Sequence, residues 1–148
     1  MSREDRDALL NPVFEFALKM LAEQGEFYPF GAVLTREGKV RLVAGTVGAV
    51  RPRASQVIAV LEEGLRAEIL REEHRAAGLC LGVRVSHPRL GKNIDAVLAR
   101  IEEADGEAAR VYLPYERGEG GALRTAPPVG EKASPRLFPP GVNPNQPG

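Results

Sequence analysis

Residues 94–113, with the sequence IDAVLARIEEADGEAARVYL, decide the fold class of this chain. The apolar residues of the first half fit a helix at positions 94, 97, 98 and 101, and they fit a strand at positions 97, 99 and 101. Asp105-Gly106 decides between the two, because Asp-Gly is a preferred two-residue hairpin turn. Apolar residues alternate again at positions 109, 111 and 113. The sequence therefore predicts two antiparallel strands joined at this turn.

Three more strands are predicted upstream. Two apolar runs, residues 26–35 and 40–46, flank the charged turn Arg36-Glu37-Gly38-Lys39 and predict a β-hairpin. The first of these strands places Ala32 and Leu34 on one face and Val33 on the other, so we expect both of its faces to be partly covered. Residues 79–86 alternate between apolar and other side chains and predict a further strand.

Two helices are predicted from apolar residues at helical spacing. The first covers residues 11–24, with Asn11 as the N-cap, Pro12 at the first helical position and Gly25 as the C′ residue. Residues 3–10 can add an earlier turn that bends at Asn11-Pro12. The second helix covers residues 54–75, with a charged, solvated face that includes Glu62. Gly64 inside it indicates either a close approach to the sheet or a glycine tolerated without a purpose.

The C-terminal part differs in composition from the rest. Prolines and glycines supply 13 of the 31 residues from Gly118 to Gly148, so we predict an extended or disordered tail over residues 127–148, held partly by Leu137 and Phe138. A short strand around residues 122–125 fits the pattern and is not counted. Residues 1–126 then form a single α+β domain. We expect a five-stranded antiparallel sheet in the order helix-β-β-helix-β-β-β, with both helices packed on one face.

The composition limits the classes of function. The chain has 20 basic and 20 acidic side chains, so it lacks the net positive charge that supports nucleic-acid binding. No segment approaches the roughly 20 apolar residues of a membrane span, and the first residues show no secretory signal. A single cysteine, Cys80, indicates a reducing compartment. We expect a cytoplasmic protein that binds neither nucleic acid nor membrane.

The chain shows no pattern typical of a metal, cofactor or catalytic site. His74, which we expect in a solvated helix end, is not at zinc-ligand spacing from Cys80 or His87. Cys80 lies in an apolar strand, where a thiol is usually an inert small hydrophobe. The acidic groups Glu62-Glu63 and Glu102-Glu103-Asp105 are expected in exposed settings, where carboxylates are rarely catalytic. We therefore expect no metal and no cofactor, and we favour a non-enzyme while leaving enzymatic activity undecided.

Aromatic and basic residues suggest an interaction surface. Aromatic residues crowd around Pro29 and flank Pro114, where packing in the core is the alternative interpretation. Half-exposed tyrosines are typical interface anchors. The candidate interaction residues are Phe27, Tyr28, Phe30, Arg51, Arg53, Tyr112 and Tyr115. An alternative site, for an anionic ligand between the sheet and the second helix, would use Arg84, His87 and Lys92.

Three short motifs resemble a group of small bacterial proteins of unknown function. They are F-Y-P-F-G-A at residues 27–32, V-Y-L-P-Y at 111–115 and P-R-L-F-P at 135–139. The resemblance spans most of residues 10–140 and implies no activity, although some members of that group look like accessory or immunity-type proteins. The predicted order of elements is also similar to roadblock and profilin-like folds, whose C-terminal helix is replaced here by the proline-rich tail.

A non-enzymatic protein-interaction or accessory module is the function that we expect. A small-molecule or anion-binding domain, or a catalytic one, is the alternative. An antiparallel sheet has edge strands that need cover, so we expect self-association through an edge strand or an exposed sheet face. The predicted assembly is a homodimer, with a protein partner of unstated identity besides.

Overall fold

The computed structural model describes residues 3–44 and 53–138. These residues form two α-helices, α1 (Arg3–Gln24) and α2 (Ala54–Arg71), and seven β-strands. The strands are β1 (Phe30–Thr35), β2 (Val40–Ala44), β3 (His74–His87), β4 (Gly91–Glu103), β5 (Ala108–Arg117), β6 (Leu123–Thr125) and β7 (Val129–Ala133). No helix among them is long and apolar enough to cross a membrane.

The strands form one antiparallel sheet in the order β2-β1-β3-β4-β5. The outer edge of β5 is covered by two short strands, since β7 pairs with residues 108–112 and β6 with residues 115–117. The predicted α+β class with an antiparallel sheet is confirmed, but the prediction of five strands in helix-β-β-helix-β-β-β order is wrong. β6 and β7 follow the predicted elements, and β7 lies in the segment that we expected to be a tail.

β7 forms because β5 offers it an open edge, not because its own sequence is apolar. Its sequence, VGEKA, has little apolar alternation. Glu131 in its centre is instead held by polar contacts with β5, through Tyr112 Oη (3.3 Å) and Arg110 Nε (3.2 Å). Hydrophobic periodicity cannot detect a strand that is stabilised in this way.

The strand interpretation of residues 94–103 is confirmed by β4. The turn that follows has three residues, one more than we predicted. Glu103 N–H donates to Glu107 O (2.8 Å), Gly106 N–H donates to Glu103 O (3.0 Å), and Gly106 has a φ of +97°. The β1–β2 turn repeats this geometry, with Gly38 at a φ of +87°. A type I turn followed by glycine in the left-handed region is a common three-residue hairpin loop.

The two helices pack on opposite faces of the sheet, so the prediction that both lie on one face is wrong. On β1, Ala32 and Leu34 belong to the cluster beneath α1, while Val33 belongs to the cluster beneath α2. On β3, Cys80 faces α1 and Leu79 faces α2. The central strands are apolar on both faces, and each face needs its own helix to exclude water.

Helix α1 runs without a break from Arg3 to Gln24, so the predicted N-cap at Asn11 is wrong. Pro12 lies inside the helix and cannot donate to the carbonyl of Ala8. Ala8 is exposed, so water can satisfy that carbonyl. The burial of Leu9 on the sheet continues the apolar stripe across the proline. The predicted end is confirmed, because Gly25 has a φ of +81° and its N–H donates to Leu21 O (3.0 Å).

Helix α2 ends at Arg71, four residues before its predicted end. The chain from His74 onward joins the sheet, where Ala76 pairs with Leu34 of β1 and with Glu103 of β4. His74 is therefore the first residue of a central strand and is only 3% exposed. The prediction of a solvated His74 at a helix end is wrong.

Two glycine-to-alanine variants test this packing. Gly64 in α2 is exposed and has no atom within 4 Å of an added Cβ, so it does not mark a close approach to the sheet. A Cβ on Gly78 of β3 would lie 2.7 Å from Ile101 Cδ1 and 2.8 Å from Arg100 O. We expect Gly64→Ala to stabilise the fold by about 0.5–1 kcal/mol and Gly78→Ala to destabilise it by about 1–3 kcal/mol. Urea unfolding measures both, and equal effects would contradict the packing described.

Candidate functional site

A polar pocket lies at the end of the sheet where the β1–β2 and β4–β5 turns meet. Its volume is about 500 Å³. The start of α1, the α2–β3 junction and the β4–β5 turn all contribute to it. We call it the turn-end pocket, and its lining includes Asp5, Glu73, His74, Arg75, Glu103 and Asp105.

Glu103 is the most unusual residue of the turn-end pocket. It is 3% exposed, and neither of its carboxylate oxygens has a hydrogen-bond partner among residues 3–44 and 53–138. Burial, together with the negative charge of Asp105, raises the pKa of Glu103 to about 7, although Arg6 on α1 opposes this shift. An unpartnered buried carboxylate is costly to the fold. Such groups often have a role in binding or chemistry.

His74 is the second buried ionisable group of the pocket. Its two ring nitrogens have no hydrogen-bond partner, and Nε2 lies 3.4 Å from Glu68 Oε1 on α2. Burial and then the guanidinium of Arg41 lower the pKa of His74, so the ring is neutral at pH 7. Glu68 is already paired with Arg41 and Arg71, which leaves little negative potential for the histidine. The ring therefore packs as a neutral side chain beside an occupied carboxylate.

Glu102, next to Glu103 in sequence, points to the opposite face and is fully satisfied. It is 4% exposed and accepts the backbone N–H groups of Arg136, Leu137 and Phe138 at 2.8–3.2 Å. These bonds hold Leu137, which is 3% exposed, against the cluster beneath α2. Glu102 thus anchors the last described segment of the chain.

Glu62 on α2 is the third buried carboxylate. It is 8% exposed and lies 3.2–3.6 Å from guanidinium nitrogens of Arg100, Arg136 and Arg66. The prediction that Glu62, Glu102 and Glu103 lie in exposed settings is therefore wrong. Charge content alone suggested exposure, but alternation along β4 places Glu103 on the same face as the buried Ile101. That signal in the sequence could have identified Glu103.

Glu102→Ala tests the anchoring of the C-terminal segment. The change removes an acceptor shared by three backbone N–H groups, and it leaves the N–H of Leu137 buried and unpaired. We expect a loss of about 2–4 kcal/mol in the free energy of unfolding and faster proteolysis near Arg136. Glu63→Ala, at an exposed acid of α2, is the control and should change stability by less than about 0.5 kcal/mol. If both variants unfold at the same urea concentration, Glu102 does not anchor the segment.

The predicted aromatic segment is divided between core and surface. Phe30 is 8% exposed, and its ring packs edge-on against Phe16 of α1 with centroids 4.9 Å apart. Phe27 is half-buried, with its ring centroid 5.8 Å from that of Phe30. Tyr28 between them is 56% exposed. Tyr28 is therefore the most exposed aromatic residue of this segment and the one best placed to contact another molecule.

The other candidate interaction residues do not join Tyr28 in one patch. Tyr112 is buried in the cluster with Leu98, on the α2 side of the sheet, while Tyr115 packs against the cluster on the α1 side. Arg53 is exposed at the start of α2 and donates its backbone N–H to Gln56 Oε1 (3.0 Å). Arg51 lies outside the described residues.

The candidate anion-binding residues do not converge either. Arg84 is exposed on the α1 side of β3 and lies 3.5 Å from Asp95 Oδ1. His87 packs against Tyr112 on the other side, with ring centroids 5.6 Å apart. Lys92 is exposed at the start of β4. Arg84 and His87 thus lie on opposite sides of the sheet.

His87 belongs to a polar cluster that joins the β3–β4 turn to β7. Its Nδ1 accepts the N–H of Arg89 (3.1 Å), so Nε2 carries the proton and lies 3.3 Å from Glu131 Oε2. The hydrogen bond from His87 lowers the pKa of Glu131, while burial and this carboxylate raise the pKa of Tyr112. Both ring nitrogens of His87 are occupied, so the cluster stabilises the sheet and offers no base for catalysis.

Cys80 is buried in the cluster beneath α1 and is a free thiol. Burial raises its pKa far above the usual range, so the thiolate is not formed at neutral pH. His74 and His87 lie at opposite ends of β3 and do not form a site with it. In the described ranges 3–44 and 53–138, the thiol therefore has no activating neighbour.

The outer edge of β2 is the second notable feature. β2 pairs with β1 on one side, and no other strand of the described part of the chain pairs with it. Thr35 N–H donates to Lys39 O, so Lys39 is hydrogen-bonded to β1. In an antiparallel pair every second residue of a strand is hydrogen-bonded to the same neighbour, so the peptide groups of Arg41 and Val43 also point toward β1. The N–H and C=O groups of Val40, Leu42 and Ala44 then point outward. Leu42 is 44% exposed in the middle of this edge.

Comparisons of this chain with protein-family models, curated proteins and solved structures give no match.

Proposed function

We propose that this protein is a non-enzymatic protein-interaction module that binds through the outer edge of β2. The observation that carries this proposal is the row of outward peptide groups on β2, with which no other strand of the described residues pairs, and which has the exposed Leu42 at its centre. Unpaired strand edges bind other strands by extending the sheet, because each new pair satisfies peptide groups on both partners. Tyr28 is two residues before Phe30, which pairs with Ala44 at the end of β2. It would add an aromatic contact there.

A second copy of this chain is the partner that the edge fits best. In an antiparallel pair about a two-fold axis at Leu42, Val40 lies opposite Ala44 and Leu42 lies opposite its own copy. These three residues share one face, so the contact is apolar. On the other face Arg41 lies opposite Val43, so no like charges are directly opposed. Glu68 and Glu72 already pair with Arg41 and reduce the repulsion between the two copies.

The chemistry of the described residues is consistent with a module that does not catalyse a reaction. Cys80 is buried, and both ring nitrogens of His87 are engaged. The anion-binding alternative lacks a comparable observation, because Arg84 and His87 lie on opposite sides of the sheet. The buried free thiol is compatible with the cytoplasmic location that we predict.

Leu42→Lys tests the proposed edge. We expect the wild-type chain to elute with twice its mass of 16.0 kDa in light scattering. The variant should be monomeric, or should dimerise at least about tenfold more weakly, because it places two ammonium groups opposite each other at the two-fold axis. Its thermal midpoint under monomeric conditions should change little, because Leu42 is 44% exposed at the surface of the sheet and lies in none of the buried core clusters.

Leu70→Lys is the matched control, since Leu70 on α2 is 76% exposed. It is two residues from both Glu68 and Glu72, so it lies on the side of the helix opposite their contacts with Arg41 of β2. This variant should remain a dimer. A monomeric wild-type chain at the highest concentration measured would overturn pairing with a second copy. A Leu42→Lys variant that stays dimeric would show that the interface lies elsewhere.

A further inference from the structure

We propose that Glu103, Asp105 and Glu107 form a binding site for a hard divalent cation, best fitted by Ca²⁺, at the β4–β5 turn. One carboxylate oxygen from each residue can be chosen so that all three lie within 4.8 Å of one another. Oxygen ligands of Ca²⁺ lie about 2.3–2.6 Å from the ion, so two ligands of one ion are at most about 5 Å apart. The three carboxylates are thus already close enough to share one cation.

Glu103 supplies the observation that separates this site from an ordinary acidic turn. Exposed acidic clusters are stable in water without an ion, but Glu103 is 3% exposed and both of its oxygens lack a partner. A carboxylate that has lost its water needs a cation or a hydrogen-bond donor in exchange. A bound cation beside Asp105 and Glu107 would supply what Glu103 lacks.

The turn holds the other two carboxylates in place. Asp105 Oδ1 accepts the N–H of Glu107 (2.9 Å), and Gly106 adopts the left-handed conformation that the tight loop requires. Asp105 and Glu107 are exposed, and the turn-end pocket opens beside Glu103 and Asp105. Water can therefore reach an ion there and complete its coordination.

The donor set selects the class of cation. All three side chains offer oxygen, which favours Ca²⁺, Mg²⁺ or Mn²⁺ over zinc or copper. Ca²⁺ accepts irregular geometry and six to eight oxygens, whereas Mg²⁺ demands a near-ideal octahedron. Three carboxylates on one short turn suit the larger ion. With water as the remaining ligands, a dissociation constant of roughly 10⁻⁴–10⁻³ M is expected.

A second group of possible ligands does not carry the same inference. Glu68, Glu72 and His74 also bring ligand atoms within 4.8 Å of one another. However, Glu68 is already bound by Arg41 and Arg71, and Arg41 lies 3.9 Å from Glu72. These guanidinium groups repel a metal ion and occupy its carboxylates. At the β4–β5 turn, α1 brings charges of both signs close to Glu103, since Asp5 raises the pKa of Glu103 and Arg6 lowers it.

Thermal unfolding of the full chain with CaCl₂ or with a chelator tests the site, and calorimetric titration gives the affinity. At a Ca²⁺ concentration ten times the dissociation constant, the wild-type midpoint should rise by about 3–6 °C. Glu103→Gln and Asp105→Asn should abolish this rise. Glu37→Gln is the matched control, because Glu37 precedes the glycine of the β1–β2 turn as Asp105 precedes Gly106. It should keep the full rise.

The variants also separate loss of the site from loss of the fold. Glu103→Gln keeps the shape of the side chain and removes a buried charge, so in chelator it should unfold at a higher temperature than the wild type. Asp105→Asn changes an exposed residue and should fold normally. A wild-type midpoint that does not move at about 10 mM Ca²⁺, ten times the weakest expected dissociation constant, would overturn the proposal. An equal loss of the rise in Glu37→Gln would also overturn it, because the effect would then be nonspecific. Leu42→Lys should keep the Ca²⁺ response, so this site and the β2 edge can fail independently.

Discussion

Burial of both faces of the central strands is the constraint on which the rest of the structure depends. β1 lies between β2 and β3, and its residues 30–34 are all buried. One layer of helices cannot bury both faces of such a strand, because its odd and even residues point to opposite sides of the sheet. Helix α1 therefore covers Ala32 and Leu34 while α2 covers Val33. The close packing of Gly31 against Leu65 and of Gly78 against Ile101 follows from the same demand.

The two-layer burial also explains why adjacent carboxylates on β4 have different environments. Glu102 faces the α2 side, where the segment that follows β7 supplies three backbone N–H groups. Glu103 faces the α1 side, where neither of its oxygens finds a donor. Both residues are buried because they continue a buried strand to its end. One carboxylate is a structural anchor. The other lacks a hydrogen-bond partner among the described residues, and the cation that we propose at the β4–β5 turn would provide a ligand contact for it.

The sequence correctly predicted the elements whose formation depends on residues close together in the chain. The Asp105-Gly106 turn correctly identified residues 94–103 as a strand, and Gly25 correctly ended the first helix, because both rest on backbone conformations that glycine favours. The failures concern interactions between distant residues. Leu9 on the sheet carries α1 across Pro12, and pairing with β1 draws His74 into the sheet. The polar contacts of Glu131 with β5 likewise form β7 without an apolar pattern.

The candidate sites were harder to predict than the fold for the same reason. The aromatic pattern around Pro29 carries no information on burial, and Tyr28 is distinguished from Phe30 only by the packing of Phe16 from α1. Runs of acidic residues suggest exposure, yet Glu103 is buried because α1 covers the end of its strand. An isolated sequence gives the face of a strand on which a residue lies. It does not say whether a helix covers that face at that point.

In the described part of the chain, the β5 edge of the sheet is covered by further strands and the β2 edge is not, and this difference supports the role in binding that we propose. The β5 edge is closed twice, by β6 near Tyr115 and by β7 near Val111, even though neither segment is rich in apolar residues. The β2 edge has no such cover among the described residues, and Leu42 is 44% exposed in its middle, beside the charged Arg41. Two short strands are enough to cover the β5 edge, and a similar short strand would be enough to cover the β2 edge. A second strand on the β2 edge, as we propose, would pair the outward peptide groups of β2 as β6 and β7 pair those of β5.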